Sequence, residues 1–569
     1  MLTQECPTRR AAPHVPMHET TRSSAASVYP GTGCAPPPQV AGLLSKNHRF
    51  LLEARWAGHG CPDPAFHTRL AWTGGLVVLA AYCVLFILLS PLPVQDLPDH
   101  LARAVAMNDL LFHGGARFGG IFHFNLEWIP YLLGDLILTA GVALFGTTGG
   151  SAFWILLVFL SLPCAALFYL RVRGIDAAGR ALMLWVSLYL ATDWFFLMGF
   201  LSYRVSVAML IATLALVELW RRKQTYGLFG LYALAVVLDY LMHLSPIVFL
   251  FAALGVTGLL RLWQRTTTLR TQITLFVPLL LVVLWHVAVG NHYREPGDPA
   301  TSPFFWGTWT SKFARVGSEF FHYAPWTDVL LVVLLAMCLW VRTGVPRWRD
   351  LSQPLTLELT VLGVMFLTMF FALPLGYSEA FYVDTRPLPL ASFFLIAACL
   401  ALPRHALATR RRREAIALAL AVLLAVGNFA YLARHFIAEQ NWVKQYRDVV
   451  AALPEHGRVL PVYTRGGEGA VVPFLHVSGY ISTDRAGIEP YVFAGDNGNP
   501  MKYFRYNHRP YDPSEIWYGE IPRGPVDWGR VAHDYDFVAI TKPYDPSVIK
   551  LPTHPVADSP SATLLAIDK

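Results

Sequence analysis

The chain has 569 residues, of which 54% are hydrophobic and only 15% are charged. Soluble domains usually carry about 25% charged residues, so this composition argues against a soluble protein. The formal net charge is +7, but the Lys and Arg residues lie in short loops between long apolar segments. That distribution is typical of the cytoplasmic loops of membrane proteins. It predicts the lipid bilayer as a partner and no nucleic acid.

Residues 1–69 are predicted to form a disordered, basic cytoplasmic tail. They are rich in Pro, Ser, Ala and Arg and lack the sustained periodicity of a helix or a strand. The segment is too long and too polar to be the charged region of a secretory signal. The first span, near residues 70–90, is therefore expected to remain in the membrane as an uncleaved anchor with the N-terminus in the cytoplasm.

Twelve apolar segments are predicted to be membrane spans. Their approximate ranges are 70–90, 128–146, 152–170, 181–196, 203–220, 226–243, 246–262, 273–290, 327–341, 355–373, 388–402 and 415–432. The basic loops should be cytoplasmic; they are 221–223, 261–270, 341–349 and 404–413. The loops 291–326 and 374–387, and everything after 433, should then face the outer side. Twelve spans would leave both termini on the same side, so one segment between 128 and 200 is predicted to be re-entrant, interfacial or incorrectly divided.

Residues 433–569 are predicted to form a small extracytoplasmic α/β domain. Short apolar stretches such as "GRVLPVY" and "YDFVAI" alternate there with loops rich in Pro, Gly and Asn. The predicted fold class is thus an all-α polytopic membrane protein of about 11–13 transmembrane helices, followed by this domain. Residues 70–432 would be the transmembrane domain, and 91–127 its first outer loop.

The first outer loop carries acidic residues directly after the first span, in "SPLPVQDLPDHLARAVAMNDLLFHGG". Asp96, Asp99 and His100 lie a few residues beyond the predicted end of the span, and the residues that follow have the spacing of an amphipathic interfacial helix. A carboxylate at the membrane surface is costly to desolvate, which makes it a candidate general base or metal ligand. Two structural alternatives stay open: these are solvated loop carboxylates, or Asp99 caps a helix that begins at His100.

The motif "DLPDH", with Asp96, Pro98 and His100, resembles the first outer loop of the GT-C class of glycosyltransferases. These are membrane enzymes that take sugars from polyprenyl-phosphate donors. The resemblance implies that Asp96 is the general base, with Asp99 as the alternative, and that His100 and Arg103 are supporting or phosphate-facing residues. Many members of the class have two adjacent acids, whereas two residues separate the acids here. It therefore stays open which Asp is the base and whether a divalent metal takes part; no other cofactor is expected.

The segment "YSEAFYVDTRPLPL" at 377–390 supplies a second group of candidates. The resemblance implies that Arg386, just ahead of a late span on the same predicted side, binds the lipid phosphate. Arg suits that role because its planar guanidinium donates two parallel hydrogen bonds. Tyr382 and Asp384 are further substrate-binding candidates. The structural alternative is an interfacial Arg386 that snorkels toward water and pairs with Asp384.

Asp239 and His243, in "LDYLMHLSP", are four residues apart and therefore share one face of a predicted helix. They lie near the outer end of a span, where an ionisable group usually faces the protein interior or a water-filled cavity. His243 is accordingly a substrate-binding candidate. The alternative is a buried Asp–His hydrogen bond that ties helices together.

These observations predict an inverting glycosyltransferase of the bacterial inner membrane. It would transfer one sugar from a polyprenyl-phosphate carrier to a lipid, glycan or protein acceptor on the outer side. The main alternative is a secondary transporter or flippase for a lipid or envelope precursor, and another is a non-catalytic scaffold of the same architecture. Transporters commonly contain inverted repeats and charges near the middle of the membrane. The sequence shows no repeat, and its notable charges lie at the outer ends of spans.

Overall fold

The structure is a computed structural model that describes most of the chain after residue 63. The described residues are 64–290, 304–344, 346–377, 382–402, 407–464, 471, 474–492, 494, 503–513 and 526–569. The predicted tail up to residue 63 and residues 291–303 of a predicted outer loop lie outside them.

Helices dominate the described residues. In chain order they are α1 (Pro64–Leu88), α2 (Leu97–Phe112), α3 (Leu132–Val172), α4 (Ala177–Leu190), α5 (Trp194–Leu197), α6 (Leu201–Lys223), α7 (Tyr226–Met242), α8 (Ser245–Trp263), α9 (Leu269–Gly290), α10 (Trp309–Arg315), α11 (Pro325–Thr343), α12 (Trp348–Leu351), α13 (Pro354–Ala372), α14 (Leu388–Ala401), α15 (Leu407–Val450), α16 (Gly479–Arg485) and α17 (Trp528–Asp534). Single 3₁₀ turns cover Ser318–Phe320 and Pro546–Val548.

The strands are short and fall into three small sheets. They are β1 (Phe122–Phe124), β2 (Phe304–Phe305), β3 (Gly376–Tyr377), β4 (Val459–Val462), β5 (Phe504–Tyr506), β6 (Phe537–Thr541), β7 (Thr553–Asp558) and β8 (Ala562–Ile567). β1 pairs with β5, β2 pairs with β3, and the four strands of the C-terminal region have the order β4-β6-β8-β7.

The predicted spans all fall on helices. Within the described residues, α1, α3, α6, α8, α9, α11, α13 and α15 are long and apolar enough to cross a bilayer, and α4, α7 and α14 are shorter apolar helices. α3 contains two predicted spans, because the chain changes direction inside it at Gly146, whose φ of 69° is left-handed. Such a φ is accessible to glycine at little cost. An integral membrane protein with mostly helical structure is thus confirmed.

The first part of α3 explains the odd number of crossings. Its Asp135 and Thr139 contact Arg103 and Met107 of α2, at 2.7 Å and 4.0 Å respectively, so this part lies along α2. The second part begins beside the end of α1, where the Ser90 hydroxyl donates to a carbonyl oxygen of residue 148 at 3.0 Å. The part before Gly146 is also only about 21 Å long, against about 30 Å of hydrocarbon. With this part set aside, the described residues contain eleven apolar helices that could cross, eight of them long and three shorter.

Ion pairs and hydrogen bonds link the ends of several helices on the side of the predicted cytoplasmic loops. Arg261 lies 2.7 Å from Glu218 and 2.8 Å from Glu358, and Glu358 also accepts from Arg173 at 2.7 Å. Arg221 donates to Gln272 at 2.9 Å. A buried charge is tolerated when it is paired in this way. The acidic first loop lies at the opposite ends of these helices.

The C-terminal region is an α/β unit built on the end of α15. That helix continues to Val450, past the predicted boundary at 432/433. β4 pairs in parallel with β6, and β8 pairs antiparallel with both β6 and β7. The predicted combination of a polytopic helical domain with a small C-terminal α/β domain is confirmed.

The C-terminal region also packs against the predicted first outer loop. β1 pairs antiparallel with β5, so that Phe122 lies opposite Tyr506. α16 packs against the start of α2, with no space between Gly479 and the backbone of Pro98 and Asp99. The loop that carries the acidic residues is thus enclosed between the helices and the end of the chain.

Candidate active site

The start of α2 presents Asp96 and Asp99. The helix begins at Leu97 with Pro98 in its first turn, a position where the missing N–H of proline costs nothing. Asp96 occupies the N-cap position, but its side chain makes no capping hydrogen bond. Because the helix begins three residues before His100, Asp99 lies inside its first turn and is not the cap. The Asp96 carboxyl is therefore available for other contacts, among them Gln95, which donates to it at 3.3 Å.

His476, from the C-terminal region, lies between the two acids. Its Nδ1 is 2.7 Å from Oδ2 of Asp99, and its Nε2 is 3.5 Å from Oδ1 of Asp96. Asp99 is fully buried and Asp96 is 6% exposed. The imidazole therefore spans two carboxyl groups that are largely removed from water.

Burial determines the protonation of this group. It raises the pKa of Asp96 to about 7, with His476 acting to lower that pKa and Asp99 acting to raise it further. Burial also raises the pKa of Asp99 well above its usual range, against the attraction of Arg103. The pKa of His476 is lowered by burial, so the imidazole is neutral near pH 7. An acid whose pKa lies near the working pH is suited to take up a proton.

His100 and Arg103 lie beside the two acids on α2 and contact each other. The guanidinium of Arg103, which is fully buried, donates to Nδ1 of His100 at 2.9 Å and to Oδ1 of Asp135 at 2.7 Å. The Tyr503 hydroxyl donates to the other oxygen of Asp135. Because Asp135 neutralises Arg103, the geometry favours the supporting role over the phosphate-facing one. Burial and Arg103 together lower the pKa of His100, which keeps this imidazole neutral as well.

Arg386 lies at the N-terminus of α8. Its Nη1 donates to the Ser245 hydroxyl at 2.9 Å and lies 3.4 Å from Nε2 of His243, which is itself 3.1 Å from the Tyr131 hydroxyl. The guanidinium is 5.9 Å from the centre of the Tyr203 ring. The Ser245 N–H donates to Nδ1 of His243 at 3.1 Å and the proline that follows Ser245 has no N–H, so the start of α8 contributes the partial positive charge of its dipole beside Arg386, which suits an anion.

Asp384 is paired with a different cation from the one predicted. Arg315 of α10 donates to both of its carboxylate oxygens, at 3.2 Å and 3.0 Å, and Lys312 lies 3.9 Å away. Lys312 also donates to the carbonyl oxygen of Phe371 at the end of α13. The predicted pairing of Arg386 with Asp384 is therefore replaced by an Arg315–Asp384 ion pair, which fixes the segment that carries Arg386.

Asp239 and His243 do not form the predicted pair within the contacts of the described residues. The Ser206 hydroxyl of α6 donates to the carboxyl group of Asp239. His243 ends α7 in an extended conformation, so its imidazole turns toward Tyr131 and Arg386. The two residues tie α7 to different neighbours.

The segment 194–203 contacts both the acidic residues and the surroundings of Arg386. Gly199, with φ of 85°, packs directly against the backbone of Asp96. Trp194 packs edge-on to Tyr382 at 4.9 Å, and Tyr203 lies below Arg386. Burial raises the pKa of the Tyr382 hydroxyl, which Arg315 lowers and Asp96 raises, so this hydroxyl is within electrostatic reach of both sides. Of the predicted site residues, Asp96, Tyr382 and Arg386 thus line one continuous region.

Several residues of this region were not among the sequence candidates. They are His476, Glu489, Tyr503, Asp135 and Ser245. The two acids, His476 and Glu489 form a buried titratable cluster, yet among the described residues no group of three or more His, Cys, Asp or Glu side chains has the geometry to hold a metal ion. The only local signal for His476 was a histidine in an apolar run, "VVPFLHVSGY", of the tail domain.

Comparison with known proteins gives the fold. No family model and no curated protein matches the chain. Two crystal structures of ArnT from Cupriavidus metallidurans match it with a TM-score of 0.51 each. The apo structure is 12% identical and the match covers 86% of this chain and 97% of ArnT; for the structure bound to undecaprenyl phosphate the values are 13%, 87% and 98%.

These identities are too low to carry a function, but the coverage includes both the helices and the C-terminal region. The predicted architecture agrees with this likeness from the first helix to the tail domain. The chain therefore has a GT-C-like fold.

Proposed function

We propose that this protein is an inverting glycosyltransferase that transfers a sugar from a polyprenyl-phosphate donor to an envelope lipid, glycan or protein. The observation that carries the proposal is a buried carboxyl group, Asp96, with a pKa near 7, in the same region as Arg386 at a helix N-terminus. This is the pairing that such a transfer requires: one group to take a proton and another to hold a phosphate.

Asp96 would act on the acceptor. As a carboxylate it takes the proton of the acceptor hydroxyl while the hydroxyl oxygen forms a bond to the anomeric carbon of the sugar. The bond between that carbon and the phosphate oxygen breaks, and the phosphate leaves with the electron pair. Because attack and departure occur on opposite faces, the anomeric configuration inverts. Asp99, which is fully buried and 2.7 Å from His476, is less accessible to an acceptor than Asp96.

Arg386 would hold the departing phosphate. Its guanidinium donates to the Ser245 hydroxyl at the start of α8, where the partial positive charge of the helix dipole also favours an anion. His243 and Tyr131 complete this side, and Tyr382 lies between it and Asp96. ArnT, which has the same fold, has been crystallised with undecaprenyl phosphate, and this supports a lipid phosphate as the ligand. We place the site and the C-terminal domain on the extracytoplasmic side of a bacterial inner membrane.

The test is single-turnover transfer by purified protein in lipid nanodiscs. A panel of polyprenyl-phosphate sugars is supplied with a cell-envelope extract as acceptor, and release of polyprenyl phosphate is measured. Asp96→Asn should reduce the rate by about 10²–10⁴-fold, because it removes the proton acceptor. Asp527→Asn is the matched control, since Asp527 is an exposed N-cap of α17 and Asn caps equally well.

Normal release by Asp96→Asn together with loss in Asp99→Asn would move the base to Asp99. If wild-type protein releases no polyprenyl phosphate but moves a fluorescent polyprenyl lipid across the bilayer, the flippase alternative replaces the enzyme. Adding a chelator before the assay tests whether a divalent metal takes part. If the carboxylate acts without a metal, the chelator should leave the transfer rate unchanged.

A further inference from the structure

We propose that His476 is a positioning residue for Asp96, supplied by the C-terminal domain to orient the base and to hydrogen-bond it once it has taken a proton. The inference rests on the proposed function, because it assigns a part in that same reaction. It also makes the C-terminal domain a component of the site, because the helices alone would leave Asp96 without this neighbour.

The tautomer of His476 follows from its contacts. Nδ1 is the ring nitrogen nearer to a carboxyl oxygen, at 2.7 Å from Oδ2 of Asp99, so electrostatic attraction favours the N–H of a neutral imidazole on Nδ1, although the two atoms are not aligned as a hydrogen bond. The lone pair on Nε2 then faces Asp96 at 3.5 Å. Nε2 can therefore accept a hydrogen bond from Asp96 once that carboxyl is protonated.

The segment that carries His476 is fixed on both sides. The Tyr463 hydroxyl donates to the Ser478 hydroxyl at 2.6 Å and accepts from the Ser478 N–H at 3.2 Å. At Gly479 an added Cβ would come within 2.7 Å of the backbone N of Asp99. The backbone around His476 is thus held against the first turn of α2, and its imidazole is 4% exposed.

Other ionisable groups face the same imidazole. From α2 they are Asp96, Asp99 and His100. Glu489 of the C-terminal domain is fully buried and lies within electrostatic reach of Asp99; it accepts from the Tyr491 N–H at 2.8 Å, and burial together with Asp99 raises its pKa well above its usual range. The carboxyl group nearest to Nδ1 of His476 is that of Asp99.

Three variants separate the two contacts of His476. His476→Gln keeps an amide near the position of Nε2, toward Asp96. His476→Asn keeps an amide near Nδ1, toward Asp99 only. His476→Ala keeps neither. His533→Ala is the matched control, because the His533 side chain is 85% exposed. Rates of transfer, donor KM and the pH profile are measured for each in nanodiscs.

We expect His476→Ala to lower kcat by about 10–100-fold, with a change in donor KM of less than about threefold, as for other residues that orient a reacting group. His476→Gln should recover part of the rate and His476→Asn should not. The acidic limb of the pH profile should also move in His476→Ala, because the ring lies against Asp96 and its removal changes the pKa of that carboxyl.

An active wild-type protein whose kcat and acidic limb are unchanged in His476→Ala would overturn this inference alone. Equal losses in all three variants, in proportion to the fraction of folded protein, would also overturn it, since that pattern indicates a purely structural residue. Absence of transfer by the wild type is the separate outcome that removes the proposed function, and the role of His476 with it.

Discussion

Asp96 is held in surroundings that favour its neutral form. It is almost completely buried, and Asp99 of the same helix turn opposes its ionisation. A carboxyl in such a place binds its proton more tightly in the folded protein than in the unfolded chain. The folded state is therefore less stable at any pH at which Asp96 has to ionise. Destabilisation of this kind is common at residues that serve catalysis.

The first prediction at this scale concerns stability. The pKa of Asp96 is about 7 in the folded protein, against 3.8 for the free group, so the free energy of unfolding falls as the pH rises from about 4 to about 7. Asp96→Asn removes that fall. We expect the variant to gain stability over the wild type between pH 5 and pH 8, by at most about 4 kcal/mol.

The measurement is thermal unfolding in detergent, followed by tryptophan fluorescence at pH 5 and pH 8. Asp527→Asn again serves as control, because its carboxyl is exposed. A difference in Tm between Asp96→Asn and wild type that is the same at both pH values would contradict the raised pKa.

Sequence reasoning at this scale selected Asp96 and Asp99 but not His476, and the roles of all three residues stay predictions. Asp96 and Asp99 stand out because a carboxyl directly after a span is unusual within its own stretch of chain. His476 does not stand out, since an apolar environment for a histidine is ordinary in a folded domain. Its partner contacts depend on a fold that brings distant segments together, as for Tyr503 and Asp135, which are 368 residues apart in the chain.

Between elements, the closest approach in the candidate site is that of α16 to α2. The Gly479 position leaves no space for a side chain, because an added Cβ would meet backbone atoms, which cannot rotate away. Gly479→Ala should therefore push α16 from the first turn of α2 and move His476 away from both acids.

We expect Gly479→Ala to destabilise the protein by about 1–3 kcal/mol, the usual range for overpacking, and to reduce transfer as much as His476→Ala does. Gly227→Ala is the matched control: Gly227 lies in α7 with nothing near its added Cβ, so that change should be neutral or slightly stabilising. The measurements are thermal unfolding and kcat. Wild-type activity in Gly479→Ala would mean that the contact with α2 does not position His476.

Element boundaries show what periodicity can and cannot reveal. The apolar runs located every crossing helix, because twenty or so apolar residues have few other uses. They also divided α3 beside Gly146, where the predicted span 128–146 ends, but they could not show that the helix before this turn is not a span. The helix before the turn runs along α2, and only the contacts Arg103–Asp135 and Met107–Thr139 distinguish such a helix from a span.

For the whole molecule, eleven crossings would put the described start of α1 and the C-terminal domain on opposite sides of the membrane. The four basic loops would then share the side of the start of α1, as the predicted bias of positive charge requires. The orientation with respect to the cell remains a prediction, and it decides where the donor must be delivered.

The test uses single cysteines in a protein from which the native cysteines have been removed. Thr266→Cys lies in the exposed loop between α8 and α9, and Asp545→Cys lies in the exposed C-terminal region. A membrane-impermeant thiol reagent added to intact cells should modify position 545 and leave position 266 unmodified until the membrane is broken. The reverse pattern would place the candidate site on the cytoplasmic side.

The pairing of β1 with β5 has a consequence for how the protein is made. The loop that bears Asp96 leaves the ribosome early, whereas Tyr503 and the strand that follows it leave only after every crossing helix has been synthesised. Contacts over so long a stretch of chain form late, because closing a long loop costs more entropy than closing a short one. The candidate site is therefore completed only after the helices have been inserted, and a chain that stops before residue 474 would enter the membrane without His476 or β5.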